Sequence, residues 1–156
     1  MPREAAVPIS PVQAYCEGLG RGELVARKCS RCARITFPPA DSCEHCGSYD
    51  VEWATLSGRG TLLFATPDPT NGHPHLASAA PGVYGHVRLE EGVVVQAVVT
   101  GTPVTPGVLR ALSEHGTIPV VAAVLKTDDG LPVLAFTPTL APGRGGVEKV
   151  VHPEYA

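Results

Sequence analysis

Four cysteines in two closely spaced pairs constrain the fold of this chain more than any other feature. Cys29 and Cys32 form one C-x2-C pair, and Cys43 and Cys46 form a second pair after ten intervening residues. Zinc is held by four soft ligands in a tetrahedron, and a C-x2-C turn directs two thiolates toward one point. The two pairs therefore predict a zinc ribbon with one Zn2+ per chain. We expect this zinc to be structural, because four protein ligands leave no position open for water.

Other roles for these thiols explain the spacing less well. Two redox-active pairs, or simple buried thiols, do not require two equal pairs around a segment of hairpin length. That segment contains RITFPPAD, residues 34–41, which predicts a short strand and a turn at two consecutive prolines. His45 lies between the last two cysteines and is an alternative ligand, although we expect it to be a solvated residue of the turn.

The fifth cysteine, Cys16, lies outside this pattern and within a predicted helix over residues 11–18. Ser10 is typical of an N-cap and is followed by a proline at the first helical position. Cys16 falls on the apolar face of the helix, so we expect a small core residue, with a reactive thiol as the alternative. Residues 23–28 then predict a strand that leads into the first cysteine pair.

The rest of the chain predicts a small β-barrel. A strand-like region over residues 51–66 contains the sequence SGRG, so it is either one long bent strand or two short ones. Two hairpins and an intervening helix follow, at residues 83–89 with 93–100, 105–114, and 120–126 with 131–137. Five short strands with a helix between the third and fourth are the layout of an OB-fold barrel.

The predicted fold class is therefore mainly β, in three parts. A short helix and the four-cysteine zinc ribbon occupy residues 1–50, a five-stranded OB-fold barrel occupies 51–137, and a tail occupies 138–156. Composition agrees with this assignment, because 17 glycines and 16 prolines among 156 residues indicate many turns and exclude a helix bundle. No long apolar run or signal peptide is present, so we expect a cytoplasmic protein without a membrane partner.

The region from Tyr15 to Thr66 carries a family resemblance. Its stretches GELVARKCSRC, FPP, CEHCGS, VEW and SGRGTL, with the later PGVYGHVRLEEGVVV, resemble the zinc-ribbon and OB-fold proteins of the domain of unknown function 35 family. Members look like small partner subunits of thiolase-like enzymes, namely thiolases, lipid-transfer-protein-like aldolases and some acyltransferases. Only the four paired cysteines carry over as functional residues, and Ala33 stands where the family often has a glycine.

The resemblance implies a non-catalytic chain that stabilises a thiolase-like catalytic subunit and helps it to bind acyl-CoA. An assembly of two copies of each chain is the expectation that goes with it. The residues themselves point the same way, because zinc would occupy the ribbon thiols and the sequence has no G-x-S-x-G, H-E-x-x-H or P-loop motif. No catalytic residue is therefore predicted, and which acyl-CoA reaction the partner performs stays open.

Cationic side chains near the first cysteine pair are candidates for binding the phosphates of CoA. The candidates are Arg27, Lys28, Arg31, Arg34 and, at the GRG turn, Arg59. Ordinary solvated charges that offset the negative charge of a zinc tetrathiolate are the alternative.

A different class of function is a single-strand nucleic-acid or protein-binding OB module with a structural zinc ribbon. Nucleic acid requires a basic groove with stacking aromatic residues. The formal net charge of −3 and eight aromatic residues spread along the sequence make this the less favoured interpretation.

Overall fold

The computed structural model describes residues 9–68, 82–101, 114 and 118–139. The chain divides into two compact units, Met1–Leu56 and Ser57–Ala156. Apart from Glu114, the predicted helix over 105–114 lies outside the described residues, as does nearly all of the predicted tail. No helix among the described residues is long and apolar enough to cross a membrane.

The first unit contains one helix and three strands. They are α1 (Pro11–Gly20), β1 (Leu24–Cys29), β2 (Ile35–Thr36) and β3 (Val51–Leu56). The predicted helix start is confirmed, because the Ser10 hydroxyl accepts a hydrogen bond from the backbone N–H of Gln13 at 3.1 Å. The helix packs on the cysteine region through Tyr15, whose ring meets Phe37 edge-to-face at 5.7 Å between centroids.

The prediction that Cys16 is a core residue is wrong, because its side chain is exposed. The buried side of α1 is set by Gly18 and Leu19. A Cβ on Gly18 would lie 3.1 Å from both the Glu23 carbonyl oxygen and a Val25 methyl carbon, so the helix is in close contact with the chain that follows it. This contact turns Cys16 outward, even though it belongs to the apolar stripe of the sequence.

The sheet of the first unit has the strand order β2-β1-β3, with both pairs antiparallel. All six residues of β3 pair with β1, from Leu24 opposite Leu56 to Cys29 opposite Val51. The predicted boundary after residue 50 therefore differs from the structure, in which residues 51–56 belong to the ribbon sheet. Gly58, with φ of +70°, lies between β3 and the next strand, so residues 51–66 form two strands and not one bent strand.

The second unit contains a closed five-stranded barrel. Its strands are β4 (Arg59–Asp68), β5 (Gly82–Leu89), β6 (Val94–Val99), β7 (Ile118–Lys126) and β8 (Pro132–Pro138), in the order β4-β5-β6-β8-β7. Strands β6 and β8 are parallel, and the other pairs are antiparallel. Both predicted hairpins are present, with left-handed glycines at Gly92 and Gly130 in their turns. The predicted fold class, a four-cysteine ribbon followed by an OB-type barrel, is confirmed.

The barrel interior is tightly packed. The largest fully buried side chains include Val87, Val120 and Phe136. A Cβ on Gly85 would lie only 2.7 Å from methyl carbons of Leu62 and Val99, so no larger residue fits there without movement of the neighbouring strands.

Candidate metal centre

The two cysteine pairs lie on turns with the same local geometry. In the first turn the backbone N–H of Ala33 donates to the Cys29 carbonyl oxygen at 2.9 Å, and in the second Gly47 donates to Cys43 at 2.9 Å. Ala33 and Gly47 both have left-handed backbones, with φ of +60° and +72°. The first turn follows β1 directly, so the central strand of the sheet positions the first pair of thiols.

The four sulfur atoms converge on one point. All lie within 4.8 Å of one another, and the Sγ–Sγ distances are 3.7 Å for Cys29 with Cys46 and 3.6 Å for Cys32 with Cys43. Four thiolates at about 2.3 Å from a zinc ion in a tetrahedron have sulfur atoms about 3.8 Å apart. Disulfide sulfur atoms would be about 2.05 Å apart. The cluster therefore fits one tetrahedral metal ion and contains no disulfide.

The environment of the thiols is uneven. Burial disfavours the thiolate of Cys43, but the backbone N–H groups of His45 and Cys46 and the neighbouring thiols outweigh it and lower its pKa to about 6. The backbone N–H of Arg34 favours the Cys32 thiolate, but burial and the other three thiols raise its pKa to about 11. Ionisation of one thiol therefore disfavours ionisation of its neighbours. A bound cation would stabilise all four thiolates together and offset this repulsion.

The predicted alternative ligand, His45, lies outside the sulfur cluster. Its Nε2 forms a hydrogen bond of 2.9 Å with the carbonyl oxygen of Ile35, and its backbone N–H donates to Cys43 Sγ at 3.4 Å. Its ring therefore ties the second turn to β2, and only its backbone faces the cluster.

Two of the predicted CoA-binding cations are engaged within the protein. The guanidinium carbon of Arg27 lies 4.0 Å from the centre of the Trp53 ring, and its Nε donates to the Ala40 carbonyl oxygen at 3.3 Å. Only 16% of the Arg27 side chain is exposed. Arg59 makes a bidentate pair with Glu90 at 3.1 and 3.2 Å, which raises the pKa of Arg59 and lowers that of Glu90.

The other three candidate cations remain accessible. Lys28, Arg31 and Arg34 are exposed, and none of them forms an ion pair with another residue of the described ranges. They lie in or beside the first cysteine turn, whereas Arg59 belongs to the second unit. The first unit therefore has three solvent-accessible cationic side chains next to the candidate metal centre.

A groove of about 300 Å³ lies elsewhere in the first unit, between α1 and β3. Its lining is mainly apolar and comprises Ile9, Ala14, Glu17, Arg21, Val25, Trp53, Ala54 and Thr55. The guanidinium of Arg21 forms an ion pair with Glu23 at 3.1 Å, and the Glu17 carboxylate accepts a hydrogen bond from the side-chain amide of Gln13 at 2.9 Å.

The barrel carries a group of residues that the sequence analysis missed. On β5 the buried residues Val83, Gly85, Val87 and Leu89 alternate with Tyr84, His86 and Arg88, which point outward. Phe64 of β4 lies opposite His86, with 6.2 Å between ring centroids and 73° between ring planes. We call Phe64, Tyr84, His86 and Arg88 the aromatic face. The spacing Y-x-H-x-R indicates that Tyr84, His86 and Arg88 share one face of a strand. It does not show that Phe64 lies on the same face, because that depends on the pairing of β4 with β5.

Comparisons with known proteins agree with this architecture. The model of the ChsH2 rubredoxin-like zinc ribbon domain matches residues 17–52, and the model of the ChsH2 C-terminal OB-fold domain matches residues 53–110. A protein of Thermomonospora curvata named as a probable enoyl-CoA hydratase alpha subunit is 31% identical over 126 residues, which are 81% of this chain. The matched region spans 37% of the length of that relative.

Solved structures extend the comparison to the fold. The chain is similar to a chain of an Ltp2-ChsH2(DUF35) aldolase, with 25% identity and a TM-score of 0.65, over 88% of this chain and all of the other. A DUF35 protein of unknown function from Sulfolobus solfataricus has the same fold, with 17% identity and a TM-score of 0.50 over 88% of this chain and 90% of that one. With a converging four-cysteine site, a closed barrel and both domain models in sequence order, the chain belongs to the domain of unknown function 35 family, of the ChsH2 type.

Proposed function

We propose that this chain is a non-catalytic subunit that assembles with a thiolase-like catalytic chain acting on acyl-CoA. One observation carries the proposal: the fold aligns with the whole length of a chain from an Ltp2-ChsH2(DUF35) aldolase. The Thermomonospora curvata relative is itself named as a probable enoyl-CoA hydratase alpha subunit. In the proposed assembly this chain stabilises its partner and contributes to binding the CoA thioester, with two copies of each chain.

The proposed metal is one structural Zn2+, held by Cys29, Cys32, Cys43 and Cys46. The sulfur spacing suits tetrahedral coordination, and an all-thiolate donor set favours zinc over harder cations such as magnesium. Zinc held in this way supplies a cross-link between two turns, and no coordination position is left for substrate or water. Metal analysis of the purified chain should find about one zinc per chain.

The accessible cations beside the first cysteine turn are the proposed contacts with CoA phosphates in this unit. Lys28, Arg31 and Arg34 are exposed and unpaired among the described residues, whereas Arg27 and Arg59 already hold internal partners. Arg31→Glu should therefore weaken the affinity of the assembled complex for acyl-CoA. Lys126→Glu, at an exposed lysine of β7, makes the same charge change in the barrel and should leave that affinity unchanged. Equal effects of the two variants would contradict a specific role for Arg31.

The assembly itself is tested by co-expression with a thiolase-like chain from the same genome. We expect the two chains to co-purify as a hetero-oligomer whose mass, measured by light scattering, corresponds to two copies of each. Separate elution of the two chains at micromolar concentration would refute the proposed function.

A second candidate function, binding of single-stranded nucleic acid, is favoured by the aromatic face of the barrel. OB barrels bind single strands by stacking bases on exposed aromatic rings. A filter-binding assay with an oligonucleotide at low salt distinguishes the two functions, because the acyl-CoA subunit should retain no oligonucleotide.

A further inference from the structure

We propose that the outer edge of β3 pairs with β3 of a second copy of this chain. The two strands run antiparallel and are centred on Ala54, and each Trp53 ring covers the groove of the other copy. The inference goes beyond the proposed function, because it concerns contact between two copies of this chain. It joins two three-stranded ribbon sheets into one continuous sheet.

The outer edge of β3 has unpaired backbone groups. β3 is an edge strand in the order β2-β1-β3, with no second neighbouring strand among the described residues. The N–H of Ser30 donates to the Asp50 carbonyl oxygen at 2.9 Å. Because hydrogen-bonded pairs alternate along an antiparallel ladder, β3 bonds to β1 at every second residue after Asp50. The N–H and C=O groups of Trp53 and Thr55 therefore point away from β1, without a backbone partner in the described part of the chain.

The sequence of β3 leaves this edge open to a new strand. Edge strands are often protected from pairing by proline or lysine, and residues 51–56, VEWATL, contain neither. The groove between α1 and β3 is lined on the β3 side by Trp53 and Thr55, whose backbone groups are the unpaired ones. A strand added at this edge would therefore point every second side chain toward the groove.

A second β3 satisfies the edge. In an antiparallel pair with two-fold symmetry about Ala54, Trp53 of one copy lies opposite Thr55 of the other. Both residues have unpaired N–H and C=O groups, so each pair exchanges hydrogen bonds in both directions. The small side chain of Ala54 meets its copy on the axis, where opposite residues approach most closely. Each Trp53 ring, which is 43% exposed, then lies against the groove of the other copy.

Charge favours this occupant. Glu17 lines the groove and forms no ion pair with another residue of the described ranges. The guanidinium carbon of Arg27 lies 4.0 Å from the centre of the Trp53 ring. The ring of one copy therefore brings positive charge toward Glu17 of the other copy.

Charge also favours this register. When the pair is centred on Ala54, the two copies of Glu52 are four positions apart, or about 14 Å along the strands. Centring the pair on Trp53 would bring them within two positions, or about 7 Å. The Debye length at physiological salt is about 8 Å, so the repulsion is screened in the first register and not in the second.

The first test is sedimentation velocity of the full-length, zinc-loaded chain without a catalytic subunit. One strand pair and one ring from each copy form a small interface, so we expect a monomer–dimer equilibrium at micromolar concentrations. The emission of Trp53, the one tryptophan in the sequence, should shift to shorter wavelength as the dimer forms.

Thr55→Pro tests the hydrogen bonds of the edge. It removes an N–H that points away from β1, so the pairing of β3 with β1 is retained. The dissociation constant of the dimer should rise about 5- to 150-fold, the range expected for two lost hydrogen bonds. Thr55→Ala is the matched control, because it keeps the N–H and should change the dissociation constant far less.

Cross-linking tests the register without a proline variant. A Cys16→Ser background removes the exposed thiol that lies outside the metal cluster. In that background Ala54→Cys places two sulfur atoms opposite each other on the axis, and mild oxidation should give a covalent dimer. Glu52→Cys, on the same face of β3, should not cross-link, because its copies are about 14 Å apart along the strands. Thermal unfolding of each variant verifies that it folds.

The possible outcomes separate this inference from the proposed function. A dimer that Thr55→Pro weakens and that Ala54→Cys traps supports the inference. A chain that stays monomeric, or a dimer that Glu52→Cys traps as fast as Ala54→Cys, refutes it. If the chain is monomeric and Thr55→Pro prevents assembly with the catalytic subunit, the edge pairs with that subunit, and only the proposed function stands. A chain that dimerises but never assembles with a catalytic subunit would contradict the proposed function alone.

Discussion

Ala33 and Gly47 provide a test of how the two cysteine turns are stabilised. They occupy equivalent positions and both have left-handed backbones, but only Ala33 carries a Cβ. The left-handed conformation costs a residue with a Cβ about 1–2 kcal/mol. Glycine avoids this cost but loses about 0.4–1 kcal/mol through its larger freedom in the unfolded chain. Ala33→Gly should therefore stabilise the first unit by about 1 kcal/mol, and Gly47→Ala should destabilise it by a similar amount.

Changes in side-chain packing do not contribute to the difference between these two variants. A Cβ on Gly47 would meet no atom within 4 Å, and Ala33 is exposed, so neither change creates a clash or a cavity. Trp53 is the one tryptophan in the sequence and lies on β3, so its fluorescence during denaturant unfolding reports on the first unit. The midpoints should move in opposite directions at fixed zinc concentration, with unchanged slopes. The double variant should lie close to the wild type. Midpoints that move in the same direction would refute the backbone argument.

Three further predictions concern the metal, a buried phenol and the barrel packing. Cys29→Ser, or removal of zinc by a chelator, should abolish the Trp53 unfolding transition while the amide signals of the barrel strands persist, because the sulfur cluster lies entirely in the first unit. Loss of the barrel signals as well would contradict this. Burial raises the pKa of Tyr15 to about 12 from an ordinary 10.0, so its contribution to stability is complete below pH 10 and is lost as the pH rises through about 12. Titration of the phenolate absorbance should show a tyrosine that ionises near pH 12, and this component should be absent in Tyr15→Phe. Gly85→Ala should destabilise the barrel by about 1–3 kcal/mol, because its Cβ would lie 2.7 Å from two methyl carbons. In contrast, Gly20→Ala, at a position with no atom within 4 Å of a Cβ, should be neutral or stabilising in the same thermal unfolding assay.

Features that depend on a few consecutive residues could be predicted from the sequence. The N-cap at Ser10, the two cysteine turns and the glycines at Gly92 and Gly130 are each specified within a stretch of about four residues. The spacing of the cysteines was sufficient for the ribbon, because each turn brings its own two thiols together. The five strands and their hairpins identified the barrel for the same reason.

Features that depend on distant partners could not be predicted. Cys16 has the spacing of a core residue, but the contact of Gly18 with the following chain decides which side of the helix is buried. Arg27 looks like an available cation until β3 places Trp53 opposite it. Likewise, Phe64 and His86 are far apart in the sequence and meet only through the register of β4 and β5.

The sequence by itself determined the candidate metal ligands and the succession of helix, ribbon and strands along the chain, since these follow from local spacing and turn chemistry, and its motifs carried the resemblance to the family. Tertiary structure alone decided that β3 pairs with the ribbon, that Arg27 and Arg59 are internally engaged, and that an aromatic face lies on the barrel. The physical reason is that a side chain's availability depends on what packs against it. What packs against a side chain is set by the pairing register of strands that are distant in the sequence.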